Sequence, residues 1–278
     1  MHFLRLLRKN YMRALGYFIL ILASVLVLIP IAWAFNLSLK EPIEITRNST
    51  GWIFKPTLEN YISVFLKGDF REQFFNSLII GLSSTFIALI VGLPAAYTLS
   101  RFRFKGKNHV VFWLLSTRMA PPVATIIPYF IIFSSIGLMD THIAIIIMHL
   151  TANLVLVIWI MMGFFADLPQ DITDAAMVDG CSYWSSFIRI SLPLVRGGMV
   201  ATSILSFMFS WNELMFALVL SGPSVKTAPV GVFNFIGFLQ VEWGPLMAAS
   251  TTLLIPIFIF IIVVQKALVR GLTFGAVK

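Results

Sequence analysis

Charge is what this chain has least of. Only 12% of its 278 residues are Asp, Glu, Lys or Arg, while 59% are hydrophobic; soluble domains carry roughly a quarter charged residues. A soluble reading would need one core able to absorb nearly every apolar run, yet several runs approach the ~20 residues that cross a bilayer as helix. The composition is that of an integral membrane protein. The single cysteine, Cys181, excludes an internal disulfide and offers neither a C-x-x-C pair nor a cysteine metal cluster. The four histidines, His2, His109, His142 and His149, have no H-E-x-x-H or other ligand spacing, so no metal site is expected. A G-x-x-x-x-G-K-[ST] phosphate loop is also missing from the sequence, and with it the expectation that this chain hydrolyses ATP.

The net charge of +8 raises nucleic acid as a partner. In so apolar a chain, however, basic residues more often flank spans on the cytoplasmic side, and the charge reads as topology. Apolar windows predict six spans, at about 14–35, 75–98, 110–133, 142–165, 198–220 and 247–265, in one domain over 1–278. For the first, a cleaved signal peptide is the alternative, because Ala32-Trp33-Ala34 imitates a cleavage site; its apolar run exceeds the usual core of such a signal. Basic residues gather at Arg5, Arg8, Lys9 and Arg13, at Arg101, Arg103, Lys105 and Lys107, and at Lys266, Arg270 and Lys278. That asymmetry predicts a multi-pass membrane protein with both termini in the cytoplasm.

The same topology puts the connection between spans four and five, 166–197, in the cytoplasm. It opens on four acids, Asp167, Asp171, Asp174 and Asp179, ahead of Arg189 and Arg196, so retention by basic residues does not explain it. Leu168-Pro169 leaves the fourth span, and Gln170 to Asp179 suits a short helix whose early acids face the positive end of its dipole. Gly180 can take the left-handed conformation that stops it. Ser182 is placed to cap a second helix bearing Tyr183, Trp184, Phe187 and Ile188 on one face, with Leu192-Pro193 at its end. The sequence thus predicts two short helices around a glycine corner, with an interfacial helix lying on lipid as the plainer alternative.

Asp174-Ala175-Ala176, Gly180 and Ile190-Ser191-Leu192-Pro193 resemble the EAA loop of the membrane subunits of binding-protein-dependent ABC importers: E-A-A, three residues, G, nine residues, I-x-L-P. The spacing matches throughout, with Asp in place of Glu at 174. Six spans with the loop before the fifth resemble the maltose-type carbohydrate permeases. So do Ser116-Thr117-Arg118-Met119-Ala120-Pro121-Pro122, Trp211-Asn212-Glu213, Thr227-Ala228-Pro229-Val230 and Leu268 to Val277. The resemblance implies an all-helical permease of type I ABC importer fold in the bacterial cytoplasmic (inner) membrane. Its coupling helix would dock on a cytoplasmic ATPase through Asp174, Ala175, Ala176, Met177, Asp179, Gly180, Leu192 and Pro193, small Ala175 and Ala176 permitting close approach. It also implies a homologous second permease, two ATPase subunits carrying the ATP and Mg, an extracytoplasmic binding protein met by Ser221 to Pro245, and a sugar or polyol substrate. No cofactor belongs to this chain in that picture, and no nucleic acid.

For the translocation path the candidates are Arg118, Asn153, Trp211, Asn212 and Glu213. Arg118 lies about 12 Å into span three at 1.5 Å per residue, and a charge there must face protein or water. Pro121-Pro122 beyond it opens the helix, which is tolerated where backbone lines a cavity or packs on protein. The asparagines serve equally as helix-to-helix hydrogen bonds, Arg118 or Glu213 as partners of another helix, and Trp211 as an interfacial anchor. An ion-coupled secondary carrier using Glu213, Arg118 and His149 is the alternative function. A channel-like or scaffold subunit explains the polar residues less well. An intramembrane aspartyl protease would need paired acids, and Glu213 is the only acid expected inside a span.

Overall fold

The computed structural model describes residues 2–237 and 240–274, with side chains over 12–237 and 240–262. The principal helices are α1 (His2–Ser38), α2 (Phe70–Arg101), α3 (Lys107–Thr117), α4 (Pro122–Ser135), α5 (His142–Ala166), α6 (Gln170–Val178), α7 (Tyr183–Leu194), α8 (Arg196–Trp211), α9 (Met215–Leu220) and α10 (Trp243–Phe274). Among the described residues, extended pairing is confined to one isolated bridge, Ile236 with Val241. The all-helical fold expected from composition is the fold found. The signature at Leu268 to Val277 and the amino-terminal bases Arg5, Arg8 and Lys9 lie outside the described side chains.

Four helices are long and apolar enough to cross a membrane unaided: Met12–Ser38, Phe70–Arg101, His142–Ala166 and Trp243–Ile262. Two bent pairs, α3 with α4 at 91° and α7 with α8 at 79°, pass the same test of length and composition when each is taken together, so the number is up to six if each pair is one span. The first bend falls at the Pro121-Pro122 break. Pro121 is extended, at φ −65° and ψ 133°, because a residue before proline is held out of the helical region.

The fifth span departs from the sequence expectation. Instead of one helix over 198–220, α8 ends at Trp211 and α9 begins at Met215. The apolar window runs on through the interruption, but the side chains of Asn212 and Glu213 take over backbone hydrogen bonds there, as polar side chains do when they compete with a helix ladder. Glu213 therefore sits in a break and not within a helix. α7 ends at Leu194, one residue past Leu192-Pro193, as expected for its end. Pro193 has no N–H to give to the carbonyl four residues back, and Phe187–Ser191 widens into a π-turn that absorbs the missing bond.

Packing divides the chain into two compact units. One takes in the chain up to Asp69 together with Val232–Leu254. In it the Lys40 side chain is 1% exposed and its Nζ donates to three carbonyls, those of Asn48 (3.0 Å), Ser49 (3.2 Å) and Gly51 (2.6 Å). The Phe54 ring lies 4.9 Å away. A buried ammonium is tolerable only when its donors are taken up in this way, so the 41–55 loop is wound around it. Asn60 donates to the carbonyls of Ser38 and Lys40, both at 2.8 Å.

The other unit comprises Phe70–Gly231 and the chain from Ile255. Its core is built on α2 against α5, from Ala88, Leu93, Ala96, Val157, Ile158 and Met161 among others. Gly92 permits the approach: a Cβ there would stand 2.7 Å from Val157 Cγ1. At this separation, small residues allow membrane helices to pack by van der Waals contact in the absence of a hydrophobic force between them.

Candidate functional site

The glycine corner between α6 and α7 is built as a complete helix stop. Gly180 has φ 84°. Its N–H bonds the carbonyl of Met177 at 3.0 Å, and the N–H of Cys181 reaches back to that of Ala176 at 2.9 Å, the paired bonds of a Schellman motif. Ser182 then caps α7, its Oγ accepting from the N–H of Ser185 at 3.2 Å. The corner is fixed on both sides by local hydrogen bonds.

Helical spacing sorts the residues of α6 into two faces. Thr173 and Ala176 point inward, Ala176 at 4% exposure. Asp171, Asp174, Ala175, Val178 and Asp179 point out, Val178 at 88%. Of the two alanines expected to admit a partner, Ala175 is available and Ala176 is spent on the chain's own packing; Met177 is half-buried between the faces.

Behind the corner lies an aromatic knot. The ring of Tyr97 on α2 meets Phe187 on α7 at 5.0 Å and Phe165 on α5 at 5.4 Å, while Phe102 meets Tyr183 at 5.1 Å. Arg101 Nη2 donates to the carbonyl of Leu168 at 2.8 Å. The second and fourth spans and the second short helix are thus gripped together where α6 departs. Leu192 is half-buried against this core and Pro193 is exposed. Trp184, 60% exposed, is a member of the knot through Phe187 at 5.2 Å.

The polar residues of spans three to five form two groups. The first is internal. Asn153 is 1% exposed and donates to Ser210 Oγ at 2.8 Å, which lies 2.7 Å from Ser84 Oγ, so α2, α5 and α8 are stitched together. Trp211 is 1% exposed, stacked on Phe207 at 5.5 Å and edge-on to Phe74 at 5.4 Å; it is a core residue of this unit, with no ring face open to a sugar. His149 Nε2 stands 3.4 Å from Glu213 Oε2, and the Glu213 carboxylate accepts the N–H groups of Phe216 (3.0 Å) and Ala217 (3.2 Å) that begin α9.

The second group is exposed. Arg118 closes α3 and its guanidinium carbon lies 5.2 Å from the centre of the Phe209 ring. Among the described residues it meets no carboxylate. Phe209 is 52% exposed, and Asn212, three residues along the same helical face, is exposed with its amide donating to the carbonyl of Met208 at 2.8 Å.

A further tie was not visible in the sequence. Asp140, between α4 and α5, has φ 57°. Its carboxylate accepts the backbone N–H groups of Gly222 (2.8 Å), Ser224 (3.0 Å) and Val225 (2.8 Å). Partial desolvation raises its pKa, but those donors outweigh it and hold the carboxyl below the ordinary aspartate range. The signal that could have found it is the residue type, since Asp tolerates the left-handed region better than most. Among the described residues no group of three His, Cys, Asp or Glu is arranged to hold a metal.

Residues 88–274 match the model of the binding-protein-dependent transport system inner membrane component family. The chain belongs to this family. The permease is 37% identical over 254 residues to the trehalose transport system permease protein SugB of Mycobacterium tuberculosis, covering 90% of this chain and 92% of that one. It is 33% identical over 262 residues to the trehalose/maltose transport system permease protein MalG of Thermococcus litoralis, covering 93% and 94%. A chain in the crystal structure of a bacterial ABC transporter involved in the import of the acidic polysaccharide alginate matches the fold with a TM-score of 0.75 at 22% identity, over 92% of this permease and 96% of that chain. Family membership leaves the ion-coupled carrier without support, and in the structure Glu213 and His149 are occupied with each other and with the start of α9.

Proposed function

We propose that the permease is one half of the membrane pathway of an ATP-driven importer of a sugar or related polyol. A homologous permease supplies the other half, two cytoplasmic ATPase subunits the energy, and an extracytoplasmic binding protein the substrate. In this reading both termini are cytoplasmic, this chain hydrolyses nothing itself, and the loop over Ser221 to Pro245 faces the binding protein; Phe238 and Leu239 of that loop lie outside the described residues. The sugar class follows the substrates named for the relatives, trehalose and maltose among them.

The observation that carries the coupling role is the build of the corner. α6 presents Asp171, Asp174, Ala175 and Val178 outward, and everything behind it is immobilised: the Schellman stop, the Ser182 cap, the Arg101 bond and the Tyr97–Phe165–Phe187 rings. A projection so exposed in front and so fixed behind suits a part that receives rigid-body motion and passes it to the spans. Exposure of Val178 at 88% selects the probe. In the reconstituted complex a single cysteine at Val178, paired with cysteines along the ATPase groove, crosslinks in a yield that changes with nucleotide, while one at Ala176 does not. Reaction of Val178→Cys with a lipid-confined reagent and none with the ATPase would make α6 an interfacial helix instead.

A further inference from the structure

Among the described residues, the exposed group formed by Arg118, Phe209 and Asn212 has no partner that explains it. Arg118 ends α3 at a 91° bend in a span, where the residues from Arg118 to Pro122 are exposed. Interrupted backbone and a charge inside a span are excluded from lipid and must face protein or water. Its guanidinium donates no hydrogen bond to any described residue, yet it is not loose, because the Phe209 ring holds it at 5.2 Å. An arginine stacked on an aromatic loses less freedom on binding than a free one and keeps its planar fork of donors for a ligand. Asn212 follows Phe209 by three residues in a chain still helical there, at φ −92° and ψ 0°, so the two lie side by side. Its amide nitrogen is engaged with Met208, leaving its carbonyl oxygen as an acceptor on the exposed face.

From this arrangement we infer that the permease itself contacts the sugar in the membrane, with the Arg118 fork donating to neighbouring hydroxyls, the Asn212 oxygen accepting from one, and Phe209 acting as the positioning residue that aims Arg118. The chemistry matches a polyhydroxylated ligand, which offers adjacent hydroxyl oxygens to a planar donor pair and hydroxyl hydrogens to an acceptor. This inference rests on the sugar-importer reading of the preceding subsection. It adds that this subunit, and not its partner alone, reads hydroxyls, and it assigns to Phe209 a role that apolarity alone would not require.

The test uses the complete complex in liposomes. The probe is whichever of trehalose, maltose and diacetylchitobiose drives hydrolysis with the binding protein, and the readout is sugar imported per ATP hydrolysed. Phe209→Leu keeps the apolar volume and removes the ring. It lowers that ratio roughly two- to thirtyfold, the span of a lost cation–π contact, while Phe209→Tyr restores it. Arg118→Lys has a similar effect, and the double variant is no worse than either single one. Deoxy analogues of the probe lacking the hydroxyl read by Arg118 pass wild type and Arg118→Lys alike. An unchanged ratio in Phe209→Leu, or losses that add in the double variant, overturns the inference while leaving the importer reading standing. Loss of the second permease on purification of Phe209→Leu or Arg118→Lys assigns the face to a subunit contact and overturns it too. Should none of the three sugars drive hydrolysis, the sugar-importer reading fails and takes this inference with it.

Discussion

The guanidinium of Arg101, at the last turn of one span, donates to the carbonyl of Leu168, the last residue before the proline that opens the coupling loop. A charged donor on a backbone carbonyl contributes about 1.5–3 kcal/mol. Arg101→Ala should therefore lower the thermal unfolding temperature of the purified complex by a few degrees and reduce sugar imported per ATP. Arg101→Lys recovers part of both, since an ammonium reaches the carbonyl without the fork. A variant with full stability and full coupling would show that the bond is incidental.

Gly180 offers a cleaner test of the corner. A Cβ placed there meets nothing within 4 Å, so a substitution acts through the backbone alone. The left-handed conformation costs an L-residue about 1–2 kcal/mol. Gly180→Asn, which tolerates that region, should be nearly silent, Gly180→Ala intermediate, and Gly180→Val severe, with membrane insertion retained throughout and ATPase association falling in that order. Equal behaviour of Asn and Val at this position would remove the positive φ from the explanation.

The buried relay of Asn153, Ser210 and Ser84 predicts a loss of stability and not of coupling. Hydrogen bonds between membrane helices average about 0.6 kcal/mol and reach about 1.7. Asn153→Leu should lower the unfolding temperature of the complex in detergent modestly, with the ATP-to-sugar ratio unmoved. A changed ratio at full stability would return Asn153 to the pathway.

Asp140 makes a prediction in pH. Its carboxyl titrates below the ordinary range in the folded chain, so the stability it contributes is fully present above the unfolded-state value near 3.9 and is lost as pH falls through the lower folded one. The stability difference between wild type and Asp140→Asn should therefore be constant from neutrality to about pH 5 and shrink below pH 4. A difference that grows on acidification would contradict the clamp. Limited proteolysis of the 221–225 segment reports the same change locally.

The corner was legible because each of its parts is local. A glycine at the helix end, a serine two residues on and the family spacing of Asp174 to Pro193 need no knowledge of the rest of the fold. The break at Pro121-Pro122 was legible for the same reason. What escaped depends on contacts between residues far apart in sequence. Apolar content gave no warning that Glu213 would interrupt span five, because its effect lies in accepting the N–H groups of Phe216 and Ala217. Trp211 and Asn153 looked like pathway residues by type and depth, and only packing against Phe74, Phe207 and Ser210 shows them enclosed. Ala175 and Ala176 are adjacent and alike, and a rotation of 100° separates the one a partner can touch from the one it cannot.

Two loops of this protein are tied by opposite chemistries. The carboxylate of Asp140 gathers backbone N–H groups, and protonation takes its charge away. The ammonium of Lys40 gathers backbone carbonyls, which hold no proton to gain or lose. Acidification below about pH 4 reaches the first fastening through its acid and finds no such handle on the carbonyl partners of the second. The 41–55 loop is thus fastened through acceptors that acidification leaves as they are, whereas the 221–225 segment hangs on a group that acid discharges.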